Sequence, residues 1–273
     1  MTLIVMFKSL TFIILLTILN VTPCKAQLSD TEKKEILTNA DIAISNIHTV
    51  VYIIELDNKS LSKRDTIKTT AICSLQIVHG KLMRSHHNID LEFVENGKLY
   101  YGHRRYDGIK TLWTNYYLSD INNYSEPSIY SKNRENKAVV SNYRNLLMPE
   151  YFVDEHIFKL FASQSEMINI TEGTLFDEPV YIVEIHYADT EDYHDSISKH
   201  FIRKSDYLPV AYHNTVWLEN MVQYNYYTVS YLAINQKLPE EIFTVNEDER
   251  INAKQRYENF KEMVIRSNAA NKP

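Results

Sequence analysis

The chain has 273 residues, 44% of them hydrophobic and 23% charged, with a formal net charge of −6. That length holds one large or two small domains, and a mildly acidic balance without a basic run argues against nucleic acid or an anionic lipid surface as partner. Of the two cysteines only Cys73 lies beyond residue 26, which excludes an intramolecular disulfide and a CxxC redox pair from the mature chain.

Lys8 precedes the apolar run TFIILLTILNV at 11–21, and Cys24-Lys25-Ala26 follows. A short apolar run with a basic residue in front and small residues behind reads as a signal peptide over 1–26, cleaved after Ala26. It is too short and wrongly flanked to span a membrane, and no later run approaches the roughly 20 apolar residues that spanning needs. Loss of Lys8 and Lys25 takes the mature net charge from −6 to −8. The expected product is an exported or periplasmic protein without a transmembrane segment. Cys24 in VTPC suggests lipidation as the less favoured reading, because Pro23 stands where a small residue is required.

Ser29 and Glu32 form a capping-box pattern ahead of Ile36, Ala40, Ile44 and Ile47 at helical spacing, predicting a helix over about 30–46. Strand signals follow. VVYIIEL at 50–56 is a nearly continuous β-branched run, while Cys73, Leu75 and Ile77 alternate with polar residues. Asn96-Gly97 between LEFVE and KLYYGH is the strongest hairpin signal, since both residues tolerate positive φ; Asp107-Gly108 repeats it. Residues 119–136 are polar and patternless and read as a long loop. The stretch 137–164 predicts two short helices broken near Pro149, suited to act as a lid.

Sheet signals return with MINITEG, YIVEIHY, SKHFIRK, LPVAYHNTVWLE and MVQYNYYTVSYLAI. In YIVEIHY the residues Tyr181, Val183, Ile185 and Tyr187 share one face. Ser205-Asp206 reads as a connection between antiparallel strands, and Pro209, which has no amide to donate, belongs at a strand start or edge. After residue 246 the charged sequence predicts an exposed helix over about 247–266 and a frayed tail.

Three stretches carry a family resemblance: VENGKLYYGHRRYDGIKTLW at 94–113, SKHFIRKSDYLPVAYH at 198–213 and VSYLAINQKLPEEIFTV at 229–245. Together they resemble the outer-membrane lipoprotein carrier (LolA-like) family over roughly residues 30–245. The resemblance implies a mostly β, α+β fold: a curved antiparallel sheet or unclosed β-barrel with a helical lid, sheltering acyl chains. The organisation expected is a leader over 1–26, a half-barrel domain over 27–245 and a charged helix and tail over 246–273. The loop at 119–136, the helix after 246 and the absent second cysteine depart from the family pattern.

Cavity-lining candidates on the strands are Tyr52, Ile54, Leu75, Val183, Ile185, Tyr224 and Tyr226. Ile157 and Leu160 join them from the lid. The ligand expected is an acyl chain or another lipid-like molecule; the alternative is a non-catalytic envelope interaction or sensory module on the same fold, with envelope proteins as partners. No metal and no other cofactor is expected, because His86-His87, His103-Arg104-Arg105 and His186, His194 and His200 lack any recognised ligand spacing. Nor is an enzyme: GxSxG, P-loop and GxGxxG motifs are absent, Cys73 sits in an apolar strand, and the Glu184/His186 pair suits a solvated strand face.

Overall fold

A computed structural model describes residues 28–270 apart from 62–64, 79–84, 122–127, 131–142, 154–156 and 247. The leader expected over 1–26, with Cys24, lies outside the described residues, as does most of the segment at 119–142.

Helix α1 (Asp30–Ser45) starts where the capping box predicts: the Glu32 amide donates to Ser29 Oγ, and the Ser29 amide donates to Glu32 Oε2 at 2.8 Å. Its buried stripe is Ile36, Leu37, Ala40 and Ile44. Eleven strands follow: β1 (Thr49–Lys59), β2 (Ile67–Ile77), β3 (Ser85–Glu95), β4 (Lys98–Tyr106), β5 (Thr111–Tyr117), β6 (Ser128–Tyr130), β7 (Asn169–Leu175), β8 (Glu178–His186), β9 (Tyr193–Arg203), β10 (Pro209–Leu218) and β11 (Met221–Ile234). Between β6 and β7 comes α2 (Ile157–Ala162), and α3 (Ala253–Ala270) closes the chain.

All eleven strands form one antiparallel sheet in the order β6-β5-β4-β3-β2-β1-β11-β10-β9-β8-β7. The sheet is not closed, since β6 and β7 stand at opposite edges. Two meanders, β1 to β6 and β7 to β11, meet along the β1/β11 pairing, where Ile54 lies opposite Val229. Short-range chemistry sets the hairpins. Asn96 and Gly97 both take positive φ between β3 and β4, as do Phe176 and Asp177 between β7 and β8. Gly108 is required twice over: its φ is +91°, and a Cβ there would come within 2.6 Å of His86 Nε2.

The stretch SDY at 205–207 is a turn, and Asp206 organises it. Its carboxylate accepts from Arg203 Nε at 3.0 Å and from the Leu208 amide at 3.2 Å, while Tyr207 adopts the left-handed conformation and Pro209 opens β10. The patternless loop reading needs one correction, because Ser128–Tyr130 pairs with β5 as an edge strand.

The side-chain alternation divides the sheet into two covered faces. On one face Tyr52, Ile54, Leu75, Ile89, Val183, Ile202, Tyr227 and Val229 join α1 and described residues of 143–153 and 157–170 in the main core. We call this the concave face. On the other, Ile53 and Ile72 pack against Phe260 and Val264 of α3. This corrects the expectation of an exposed C-terminal helix. Arg256 donates to both oxygens of Asp90 at 2.9 Å, Tyr257 donates to Glu92 at 2.5 Å, and Lys261 reaches the same Glu92. The helix charges that look solvated in the sequence thus find partners on β3. The nearly unbroken apolar run of β1 follows from cover on both faces.

Candidate functional site

The cover over the concave face is built from short pieces. A 3-10 turn (Arg144–Leu147) ends at Met148, which takes φ +49° ahead of Pro149; a π turn (Pro149–Val153) and α2 follow, and α2 packs beside α1. The break expected near Pro149 falls where Met148 takes the left-handed conformation and the 3-10 turn ends. The sheet holds the cover by its backbone. Tyr52 Oη donates to the Leu146 carbonyl at 2.7 Å, and Cys73 Sγ lies 3.4 Å from the same oxygen. Burial pushes the Cys73 thiol far up, so it is a packed, un-ionised group.

The expected lining residues divide. Tyr52, Ile54, Leu75 and Val183 are fully buried on the concave face, and Ile185 and Ile157 pack at its margin. Tyr224 and Tyr226 belong to the opposite face. Tyr226 pairs with Asp57 and stacks edge-on against His213, and the Tyr224 hydroxyl meets Thr66 Oγ1 at 2.5 Å; the inward tyrosines of β11 are Tyr227 and Tyr231. The physical reason is parity, since residues one apart on a strand point to opposite faces. Leu160 is also turned out, with 57% of its surface exposed, because α2 directs Phe158 and Phe161 inward instead.

Polar groups at two ends interrupt this apolar interior, and none of them was singled out as lining from the sequence. At the β3/β4/β5 end, the guanidinium of Arg104 lies 4.3 Å from the Trp113 ring centroid and donates to the Thr114 carbonyl and to Asn115 Oδ1 at 2.6 Å. His87 stacks nearby between Tyr106 and Tyr143, and burial holds its imidazole down to about 3, so it is neutral at physiological pH. The run His103-Arg104-Arg105 is therefore split by the pleat. Arg104 points inward, while His103 bonds Asp90 and Arg105 bonds Glu249 on the α3 side.

At the other end His200 of β9 is surrounded by four aromatic rings: Tyr212 at 4.9 Å, Phe161 at 5.4 Å, and Tyr151 and Phe158 at 5.8 Å, centroid to centroid. Its Nδ1 is 2.7 Å from Tyr151 Oη, and burial lowers it to about 3. The Tyr227 hydroxyl donates to Glu150 at 3.2 Å. Burial raises the Tyr151 and Tyr212 hydroxyls far above their ordinary range, and the charge of Glu150 adds to both. The register sets His200 opposite Val183, which puts it on the same face of the sheet.

Outside the concave face the pairs considered for catalysis are solvated or structural. His186 Nε2 and Glu184 Oε1 are 2.6 Å apart on the open face, with Lys199 on the same carboxylate. Among the described residues no group of three or more His, Cys, Asp or Glu side chains is placed to hold a metal ion, and no helix is long and apolar enough to cross a membrane.

The class defined by this geometry is an unclosed antiparallel sheet whose concave apolar face is covered by short helical segments, the architecture implied by the resemblance to the outer-membrane lipoprotein carrier family. No family model matches the chain, and a search of curated proteins gives no match. Among solved structures the chain is similar to LprF from Mycobacterium bovis, with 7% identity and a TM-score of 0.45 over 81% of this chain and 99% of that one. It is also similar to the lipoprotein LppX from Mycobacterium tuberculosis, with 9% identity and a TM-score of 0.32 over 77% and 99%. A LolA superfamily protein from Nitrosomonas europaea aligns at 9% identity and a TM-score of 0.22 over 78% and 97%.

Proposed function

We propose that this protein is an exported, non-catalytic binding or carrier protein for an acyl chain or similar lipid-like ligand, taken up between the concave face of the sheet and the cover formed by residues 143–153 and 157–167. The observation that carries the reading is the construction of that cover. One apolar layer extends from Leu91 on β3 to Ile170 on β7, and it is closed by a 3-10 turn, a π turn and a six-residue helix. Such pieces hold few internal hydrogen bonds and open at low cost relative to a long helix or a second sheet. An apolar enclosure under a movable cover, with a few polar groups inside, is the usual form of a site for a greasy ligand. Export rests on the leader expected over 1–26.

The test is to express the protein in a bacterial periplasm, extract it with organic solvent and identify bound lipids by mass spectrometry against a control of similar size. Stoichiometric acylated species are expected, and Ile157→Asp on the cover lowers them at least tenfold while leaving the fold intact. A wild-type protein that comes out empty and takes up no fluorescent fatty acid overturns the reading. In that event the envelope interaction module takes its place, favoured by Met263 and Ile265, which stand 42% and 64% exposed on α3.

A further inference from the structure

The contact that fastens α3 to the outer face of the sheet contains one group that cannot satisfy both of its neighbours. His103 of β4 is fully buried, and its Nδ1 lies 3.1 Å from Asp90 Oδ1 and 3.1 Å from Arg256 Nη2. A lone pair on that nitrogen accepts from the guanidinium. A proton there donates to the carboxylate and confronts the guanidinium instead. The other ring nitrogen, Nε2, makes no hydrogen bond to any described residue. A charged imidazole needs an acceptor for each of its two N–H groups, and among the described residues the docked helix leaves it only Asp90.

The charges around His103 are already matched one to one. Asp90 on β3 holds Arg256, Glu92 on β3 holds Lys261 and the Tyr257 hydroxyl, and Arg105 on β4 holds Glu249 ahead of the helix. Tyr101 on β4 gives its hydroxyl proton to Asp90, and from β5 Thr114 stands opposite His103 and Tyr116 opposite Tyr101, both bearing only hydroxyls. A proton on His103 is therefore one positive charge too many in a buried cluster. Burial holds the imidazole below its ordinary value of about 6.5; Asp90 opposes that shift, while Arg256 and Arg105 add to it.

We infer that His103 is a proton-operated latch for α3: when Nδ1 takes a proton from solvent, the ring replaces Arg256 as the partner of Asp90 and the helix lifts from the sheet. Lifting removes the guanidinium and admits water to Nε2, while Asp90 stays beside the ring on the neighbouring strand, so the undocked state binds the proton more tightly. A histidine held down in the docked state gives docking strength that is fully present above about pH 6.5 and is lost as pH falls below it. Release uncovers Ile53 and Ile72 on β1 and β2, and Tyr101 and Tyr116 on β4 and β5. These lie on the face opposite the enclosed one, so the latch works independently of whatever the concave face takes up.

The experiment is amide hydrogen exchange on the full mature chain at pH 7.5, 6.5 and 5.5, read by mass spectrometry and corrected for the intrinsic pH dependence of exchange. Peptides from α3 are compared with peptides from β1. With one proton taken up per opening, α3 protection is expected to fall about tenfold between pH 7.5 and 5.5, most of it below 6.5, while β1 stays the better protected throughout. His103→Gln, which does not titrate, is expected to keep α3 protection constant within about twofold over the same range. A wild-type α3 whose protection is independent of pH, or a step of wild-type size in His103→Gln, overturns the latch. So does equal protection of α3 and β1 at every pH, since the helix then opens only by global unfolding. If His103→Gln loses β1 protection at pH 7.5, Arg256→Gln takes its place: it is expected to lower α3 protection more than tenfold at pH 7.5 and to abolish the step, and a step of wild-type size counts against the latch.

Discussion

The two concave-face histidines make stability steeply dependent on pH, and the dependence can be worked out from burial. His87 and His200 are each held down to about 3 by burial, against roughly 6.5 in an unfolded chain. Between those values the unfolded chain binds protons that the folded protein refuses. Stability therefore falls as pH drops below about 6.5 and goes on falling towards 3, and it is fully present above 6.5. One pKa unit of difference is worth about 1.4 kcal/mol, so the pair together removes roughly 3 kcal/mol per pH unit, or about 4 kcal/mol at pH 5. That is a large share of the 5–15 kcal/mol typical of a native protein. The assay is urea unfolding followed by far-UV circular dichroism and tryptophan fluorescence at pH 7.5, 6.0 and 5.0. His87→Phe, which keeps a ring between Tyr106 and Tyr143, should halve the slope. A midpoint that stays constant from pH 7.5 to 5.0, or a variant with the wild-type slope, would refute the reasoning, since either means the histidines gain protons without unfolding.

The α3 docking is a second measurable feature. Burial opposes ionisation of Asp90, but His103, Arg256 and Tyr101 beside it outweigh burial and hold its carboxyl below the usual range; His103 is itself lowered by burial, so Arg256 supplies the charge. Arg256→Met leaves that carboxylate uncompensated and is expected to destabilise the docked helix by about 3 kcal/mol, read as faster tryptic cleavage at Arg250 and Lys254. In the wild type the Asp90 contribution is intact above about pH 4 and is lost as pH falls further, a window below that of the histidines. Cys73 should resist thiol reagents in the native protein and react only at the rate of unfolding, because its thiol is buried and its pKa raised. Gly102→Val should lower stability by about 1–3 kcal/mol, measured by thermal melting, since a Cβ at Gly102 already meets Leu91 Cδ2 at 3.0 Å and both Arg104 Nη1 and Asn115 Oδ1 at 3.1 Å.

What was legible in the sequence was local. The Ser29/Glu32 cap, the Asn96-Gly97 turn and Pro209 at a strand start each depend on a few neighbouring residues, and each stands where the sequence puts it. The inward face of β11 was not legible. Tyrosines occupy both parities, Tyr224 and Tyr226 against Tyr227 and Tyr231, so hydropathy gives no contrast and only pairing with β1 selects the face. Leu160 was misplaced because a six-residue helix between irregular turns does not carry a period long enough to fix its orientation. The docking of α3 depends on Asp90 and Glu92, more than 160 positions away along the chain from Arg256 and Tyr257, and no local pattern links them. His200 was visible only as a histidine without metal-ligand neighbours; the rings around it come from elements distant in sequence, Phe161 from the cover and Tyr212 from β10.

The seam between β1 and β11 has a consequence for how the molecule comes into being. Strand β1 pairs with β11, so the centre of the sheet cannot assemble until the chain is present as far as Ile234. Hairpins can zip up within each meander, but joining the two demands closure of the long span between Lys59 and Met221, the slowest kind of step in folding a β protein. The β1 edge of the first meander therefore waits unpaired until β11 has been made, and it is the long-range seam, not the hairpins, that sets when the two halves become one sheet.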